Sequence, residues 1–289
     1  MNKPIVVGVN GSGGSEAAML WSLQRAARHK LSVIAVHALD DRWMSPEFTY
    51  QDVIRESGMQ LLRQVQEDAA KKEPGVDVRI RLGEGSPASV LKDLSRDASM
   101  VVIGSHNRTW ADGGPMTDRA LQVVAASDCP VAVIPQDQGP AGRGVVVGVD
   151  GSEESLQAVA LAAAEADREG DVLTAVLAFR RPSWWAQRGM PVRGLAEAIE
   201  EEDRIVLAES VAGLTDKYPD LVVRQRLEND EDPAKALVAA AADARLLVLG
   251  SRGRGGFSRL LLGSTAHAVL QRVPCPTVVT RLHAVKHQE

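Results

Sequence analysis

Short apolar runs alternate with amphipathic stretches along the chain, and the pattern is clearest in the second half. The run VVVGV at residues 145–149 is β-branched and has no polar position, as in a strand buried on both faces. Ser152 then favours a helix start, and apolar residues follow at helical spacing at Leu156, Val159, Ala160 and Ala163. The pattern predicts further strands near 171–178, 220–227, 245–249 and 276–280, and further helices near 194–216, near 233–242 and from about 264.

The first half of the chain repeats this order of elements. Its opening IVVGVNGSGGSEAAMLWSLQRAA aligns with VVVGVDGSEESLQAVALAAAEA, which places Gly8 on Gly148. Further along, MVVIGS aligns with LLVLGS, and SDCPVAVIP aligns with RVPCPTVVT. The stretch PQDQGPAGRG between the halves is typical of an exposed linker. We therefore predict a tandem duplication, with one domain at residues 1–138 and the other at residues 142–289.

Five strands interleaved with four helices in each half predict an α/β fold. Because parallel neighbours need crossover helices, each half should form a doubly wound, parallel, five-stranded sheet with helices on both faces. Ligands of such sheets bind beyond the carboxyl ends of the strands, where the strand order reverses. We therefore expect a ligand site at the loops after the first and fourth strands, which in the second half are GVDGS and GSRGRGGFSRLLLGS.

Composition narrows the class of protein. The chain has 289 residues, of which 45% are hydrophobic, and its formal net charge of −5 gives no overall basic footprint for nucleic acid. No apolar run approaches the roughly 20 residues of a membrane span, and the N-terminus has no signal-peptide pattern. Cys129 and Cys275 stand beside proline before apolar strands, which is typical of buried thiols in a reducing compartment. We expect a cytoplasmic protein with neither a membrane nor a nucleic-acid partner.

The loop that begins at Gly250 combines three features that favour an anion. Gly250 and Gly253 have no Cβ, so their backbone N–H groups can approach a ligand closely and their φ angles can be positive. After Gly263, the hydroxyls of Ser264 and Thr265 stand where a helix N-cap belongs, and a helix start favours phosphate. Positive charge is added by Arg252, Arg254 and Arg259. The alternative is a flexible surface loop in which these residues only provide solubility.

Two other phosphate-binding motifs are excluded. The loop lacks the lysine of a Walker A motif, and neither half has GxGxxG after its first strand.

Asp150 follows a buried strand, where its carboxylate could accept a hydrogen bond from a ribose hydroxyl or bind a phosphate-bound Mg²⁺. The alternative is a turn-forming or helix-capping aspartate before glycine.

The spacing G-x2-G-x9-G-S, with GVDGS after the first strand and CP before the last, resembles the ATP-binding class of universal stress proteins. The resemblance covers the whole chain as two copies and implies the strand order 3-2-1-4-5, with ATP between strands one and four. The implied ATP-binding set comprises Gly148, Val149, Asp150, Ser152, Leu177, Leu249, Gly250, Arg252, Gly253, Gly263, Ser264 and Thr265. Within this set the glycines of the loop and Ser264 would hold the phosphates, and Leu177 would line the adenine pocket.

The first half departs from this motif. Its residues at the aligned positions are Asn10, Asn107, Thr117 and Asp118. A carboxylate at position 118 would take the place of a phosphate at the helix start and repel a triphosphate, and only Arg108 and Arg119 offset it. We predict that the first half binds ATP weakly or not at all, although the glycines at 113 and 114 leave a different ligand open.

Three functions fit these observations. The resemblance implies an ATP-binding regulatory protein of stress responses, whose nucleotide changes its conformation or its choice of partner. A slow ATPase, or an enzyme that phosphorylates its own Ser258 or Ser264, is the second, with Asp150 the one candidate base. A nucleotide-independent scaffold is the third. No catalytic or metal-binding residue is assigned, because the sequence has neither a histidine cluster nor a GxSxG elbow.

Arginines and two tryptophans form an unusual segment after the second strand of the second half. Trp184 and Trp185 in RRPSWW favour packing or a protein interface over nucleic-acid stacking, because the chain around them is acidic. We therefore expect a protein partner of unknown identity, and a homodimer is an open alternative.

Overall fold

The computed structural model describes residues 2–40, 51–105, 118–137, 142–179, 192–229, 232–254 and 262–281. The chain divides into two compact units. Unit 1 contains residues 1–139, and unit 2 contains residues 140–282.

Unit 1 alternates strands and helices from its first described element to its last. In chain order these are β1 (Ile5–Gly8), α1 (Gly13–His29), β2 (Val33–Leu39), α2 (Gln51–Lys72), β3 (Val78–Glu84), α3 (Pro87–Ser95), β4 (Met100–Ser105), α4 (Asp118–Ala126) and β5 (Val131–Pro135).

Unit 2 has the same order of strands. Its elements are β6 (Val145–Gly148), α5 (Glu153–Glu169), β7 (Leu173–Phe179), α6 (Val192–Val211), the short α7 (Leu214–Lys217), β8 (Val223–Asn229), α8 (Pro233–Ala240), β9 (Leu246–Gly250), α9 (Ser264–Leu270) and β10 (Thr277–Thr280). The sequence predicts one helix where α6 and α7 stand. The helix is interrupted there because Gly213 takes a φ of +73°, a left-handed conformation that a continuous helix cannot contain.

Each unit contains a parallel sheet of five strands. The order across the sheet is β3-β2-β1-β4-β5 in unit 1 and β8-β7-β6-β9-β10 in unit 2. The neighbours within each unit run parallel. Counted from the first strand of each unit, both orders read 3-2-1-4-5, so the predicted fold and strand order are confirmed.

The centre of unit 2 is buried on both faces, as the run of valines in β6 predicts. Val145 and Val147 are fully buried, and they pair with Leu246 and Val248 of β9. This register places Gly148 beside the end of β9. Because the strand order reverses between β6 and β9, the loops that follow these two strands leave the sheet side by side.

No helix of the described ranges has the length and apolar character that crossing a bilayer requires.

Candidate functional site

The turn after β6 is organised by the carboxylate of Asp150. Its Oδ1 accepts hydrogen bonds from the backbone N–H of Ser152 at 3.0 Å and from the hydroxyl of the same residue at 2.6 Å. Ser152 is the N-cap of α5, and its hydroxyl oxygen accepts from the N–H of Ser155 at 3.2 Å. Between them, Gly151 has a φ of +78°, which favours glycine. The turn-forming role considered for Asp150 is therefore present.

The other carboxylate oxygen of Asp150 faces the loop after β9. Oδ2 accepts a hydrogen bond from the backbone N–H of Arg254 at 2.9 Å, and a Cβ on Gly253 would overlap this oxygen. Gly250 is constrained in a similar way, since a Cβ there would lie 2.9 Å from the backbone carbonyl carbon of Glu154 in α5. The loop thus touches both the turn after β6 and the start of α5 at its glycines.

The glycines of this loop allow other segments to pack closely against the backbone, and they do not adopt an unusual backbone conformation. Gly250 and Gly253 do not have positive φ, and Gly263 has a φ of −69°. The freedom to adopt positive φ that glycine offers is therefore not used at the first two positions. The constraint at each position comes from an atom of a distant segment, which a local motif does not reveal.

The start of α9 is one residue earlier than the predicted hydroxyl cap. Gly263 is the N-cap and supplies no side chain, while Ser264 is the first helical residue. The backbone N–H of Gly263 donates to the carbonyl of Ser251 at 2.7 Å, which ties the helix start to the loop after β9. Because no side chain caps α9, the N–H groups of its first turn can bind an anion placed before them.

These segments surround a cavity of about 450 Å³ at the carboxyl edge of the sheet in unit 2. Every residue of the predicted ATP-binding set lines it except Ser152 and Leu177. Ser152 acts one step away, by holding Asp150 through the two hydrogen bonds described above. Leu177 does not line the cavity, because successive residues of a strand face opposite sides and β7 presents Val176 and Ala178 to the cavity instead.

An apolar wall of the cavity is missing from the sequence-based set. It is formed by Val176 and Ala178 of β7 together with Pro233 and Leu237 of α8. The spacing of Pro233 and Leu237 is the sequence signal that could have found them, because residues i and i+4 share a helix face. That spacing does not say which face meets the sheet, so the wall follows only from the packing of α8.

Carboxylates neutralise the described arginines of the loop. Arg252 pairs with Glu154 of α5 at 2.9 Å, and Arg254 lies 3.9 Å from Asp203 of α6. Burial raises the pKa of Asp203, while Arg254 acts to lower this pKa and Glu202 to raise it further. The positive field expected from these arginines is therefore weaker than their number suggests, since each one shares its charge with an acidic partner.

Within the described residues, no group of three or more His, Cys, Asp or Glu side chains is placed to hold a metal ion. Several predicted features lie outside the described residues: Asn107, Arg108, the glycines at 113 and 114, Thr117, the tryptophans at 184 and 185, Ser258 and Arg259.

Comparison with known proteins agrees with the duplicated fold. The universal stress protein family matches the chain twice, at residues 1–135 and 143–281. The chain belongs to the universal stress protein family. A universal stress protein of Mycobacterium tuberculosis is 35% identical over 97% of this chain and 99% of its own, and one of Mycolicibacterium smegmatis is 32% identical over 96% of both. The crystal structure of a universal stress protein from Archaeoglobus fulgidus has a TM-score of 0.69 at 18% identity, over 96% of this chain and 98% of its own.

Unit 1 of this universal stress protein keeps the turn but packs it differently. Asn10 Oδ1 accepts from the N–H of Ser12 at 3.1 Å and from its hydroxyl at 2.7 Å, as Asp150 does for Ser152. At the position of Glu154, however, unit 1 has Gly14, and a Cβ on Gly104 would overlap the backbone of that glycine. The start of α1 therefore lies against β4 without a carboxylate like the one that pairs with Arg252. Asp118 is the first residue of α4, but its side chain is outside the described part, so its predicted effect on ATP stays a prediction.

Proposed function

We propose that this universal stress protein binds ATP in the cavity of unit 2 and uses the bound nucleotide as a signal that changes its conformation or its choice of protein partner. One observation carries the proposal. The cavity at the reversal of strand order has a polar end, made by the glycine loop and the start of α9, and an apolar end, made by β7 and α8. This division matches the phosphates and the base of a nucleotide, and the volume lies within the range of about 300–1,000 Å³ that is usual for ligand pockets.

The residues present fit such a ligand. The phosphates would lie against the backbone of Gly253 and Gly263 and the first turn of α9, where N–H groups favour anions. Gly148 keeps the apolar end open, because a Cβ there would lie 2.7 Å from Leu249 Cδ2 and 3.3 Å from Leu237 Cδ2. Asp150 Oδ2 faces the loop, where it would accept from a ribose hydroxyl. A phosphate-bound Mg²⁺ would lower the repulsion between this carboxylate and the phosphates.

Hydrolysis has less support from the geometry. Among the described residues that line the cavity, Asp150 is the one carboxylate, and there is no histidine. Both oxygens of Asp150 already accept hydrogen bonds from protein donors, which leaves this residue a poor general base. We therefore propose that ATP is held as a ligand and is turned over slowly at most.

The affinity test uses isothermal titration calorimetry of the full chain with ATP and Mg²⁺. We expect one strong site per chain. Gly263→Val should weaken binding, because even a Cβ at this position lies 3.3 Å from Arg252 Cα and the two methyl groups of valine would crowd the loop. Gly75→Val is the matched control, since no atom lies within 4 Å of a Cβ at that glycine. Two sites of comparable affinity would contradict the assignment of ATP to unit 2 alone, and unchanged affinity of Gly263→Val would contradict the location of the site.

A second experiment separates the three functions. The protein is purified, its bound nucleotide is identified by mass spectrometry, and the sample is incubated with Mg²⁺ for hours. Retained and intact ATP supports the proposed signalling function, whereas steady formation of ADP supports an ATPase. Protein that purifies empty and binds no added ATP supports a scaffold. The cytoplasmic location, the protein partner and the homodimer stay predictions.

A further inference from the structure

Arg254 joins three segments of unit 2 at the edge of the cavity. Its backbone N–H donates to Asp150 Oδ2 at 2.9 Å, and its guanidinium reaches Asp203 of α6. The same guanidinium lies over Gly151, where a Cβ would be 2.6 Å from the Arg254 Nη2 atom. One residue thus connects the loop after β9, the turn after β6 and helix α6.

Helix α6 has two contacts at this corner. Asp203 forms the charged contact with Arg254, and its side chain is only 16% exposed. Val206 forms the apolar contact, because a Cβ on Gly151 would lie 2.8 Å from Val206 Cγ1. The neighbouring Arg204 pairs with Glu200 at 3.1 Å within α6 itself, so this second arginine does not connect the helix to the loop.

The ion pair between Arg254 and Asp203 is long and partly exposed, so Arg254 can leave Asp203 for another anion. Its separation of 3.9 Å exceeds the 2.9 Å between Arg252 and Glu154, and strong charge-assisted bonds span about 2.7–2.9 Å. The Arg254 side chain is 48% exposed and lines the cavity, so it can rotate toward a ligand. A nucleotide phosphate carries more negative charge than one carboxylate and offers the guanidinium a bidentate partner.

We propose that Arg254 exchanges Asp203 for a nucleotide phosphate, so that ATP binding breaks the charged contact between helix α6 and the loop after β9. This inference rests on the proposed ATP site and adds the element that reports its occupancy. Arg254 is then both a phosphate ligand and the residue through which α6 responds, and Asp203 competes with the nucleotide. A ligand without phosphates would leave the ion pair in place.

The test combines hydrogen exchange, read by mass spectrometry on peptides of α6, with calorimetry of ATP binding. Three variants of the full chain are compared with the wild type: Asp203→Asn, Arg254→Met and, as the matched control, Arg204→Met. Asp203→Asn should tighten ATP binding about fivefold, because no carboxylate competes, and Arg254→Met should weaken it by about the same factor, a change at the low end of the range for coupled sites. Arg204→Met should leave the affinity unchanged.

The exchange data test the movement itself. In the wild type, ATP should raise hydrogen exchange in α6 and adenosine should not. In Asp203→Asn and Arg254→Met, exchange in α6 should be raised before any ligand is added, and ATP should raise it no further. These readouts separate the proposal from a purely structural role, in which both variants would weaken binding together.

The outcomes also distinguish this inference from the proposed function. If the wild type binds ATP but Asp203→Asn binds it no more tightly, and exchange in α6 does not respond, the coupling is overturned while the ATP site stands. If the wild type binds no ATP, the proposed function fails and the coupling fails with it. If adenosine raises exchange in α6 as much as ATP, then α6 responds to the base, and the role of Arg254 as a phosphate ligand is overturned.

Discussion

Replacing Gly253 with alanine tests how closely the loop after β9 approaches the turn after β6. Gly253 does not have positive φ, so alanine brings no backbone strain there. The new methyl group would overlap Asp150 Oδ2, which has to move and give up its 2.9 Å bond from the Arg254 N–H. A hydrogen bond to a charged group contributes about 1.5–3 kcal/mol to the free energy of unfolding. Because both residues are partly exposed, we expect this free energy to fall by about 1.5 kcal/mol. ATP binding should weaken about tenfold, the factor that corresponds to about 1.4 kcal/mol.

The assay is urea unfolding followed by circular dichroism, arranged as a double-mutant cycle with Asp150→Ala. Without the carboxylate the methyl group has space, so Gly253→Ala should cost little in the Asp150→Ala background. The coupling free energy should therefore be about 1.5 kcal/mol, well above the roughly 0.3–0.5 kcal/mol within which independent sites add. Gly75→Ala is the control, because no atom lies within 4 Å of its Cβ. Additive losses, or a Gly253→Ala protein as stable as wild type, would show that the loop does not approach Asp150 as described.

Three further predictions follow from other contacts. Ser152→Ala should destabilise unit 2 by about 1 kcal/mol, because α5 loses its N-cap. The same change should weaken ATP binding in calorimetry, because Asp150 loses its hydrogen bond from the Ser152 hydroxyl. Ser12→Ala removes the equivalent cap in unit 1 and should leave ATP affinity unchanged. Burial raises the pKa of Cys129 to about 11 and that of Cys275 to about 12, so Ellman's reagent at pH 8 should label both thiols only after unfolding; fast labelling of the native protein would contradict their burial. Because these pKa values are raised in the folded protein, the stability that the two thiols contribute is complete below the ordinary thiol pKa and declines as the pH rises through about 11 and 12; unfolding measured between pH 8 and 11 should show this direction.

Much of the fold could be predicted from the sequence because its signals are local. A β-branched run such as that in β6 indicates a strand buried on both faces wherever it occurs, and a serine before an amphipathic stretch indicates a helix start. Repetition of these signals in the same order revealed two copies, and parallel pairing follows from the helices between the strands. The break at Gly213 was missed because glycine within a helical pattern does not by itself specify a left-handed φ.

The candidate site was predictable in position but not in detail. Strand topology and the glycine motif place the site at the ends of β6 and β9, and most of the predicted residues line the cavity. The sequence could not show that Leu177 lies outside the cavity lining, because an apolar strand buried on both faces gives no sign of which residues face a ligand. The wall from α8 was missed for a related reason, since a helix pattern shows an apolar face but not its partner.

The sequence by itself determined that this universal stress protein has two α/β units and that its glycine loop follows the fourth strand of the second. Only the tertiary structure decided what the loop touches. Arg254 contacts Asp150 and Asp203, which lie 104 and 51 positions away in the chain. Position 253 requires glycine because a Cβ there would overlap the carboxylate of Asp150. Periodicity and motifs report on neighbours along the chain, whereas the partner of a long charged side chain depends on how separate elements pack. That packing turned an apparent row of free arginines into two ion pairs, and one of these links the cavity to helix α6.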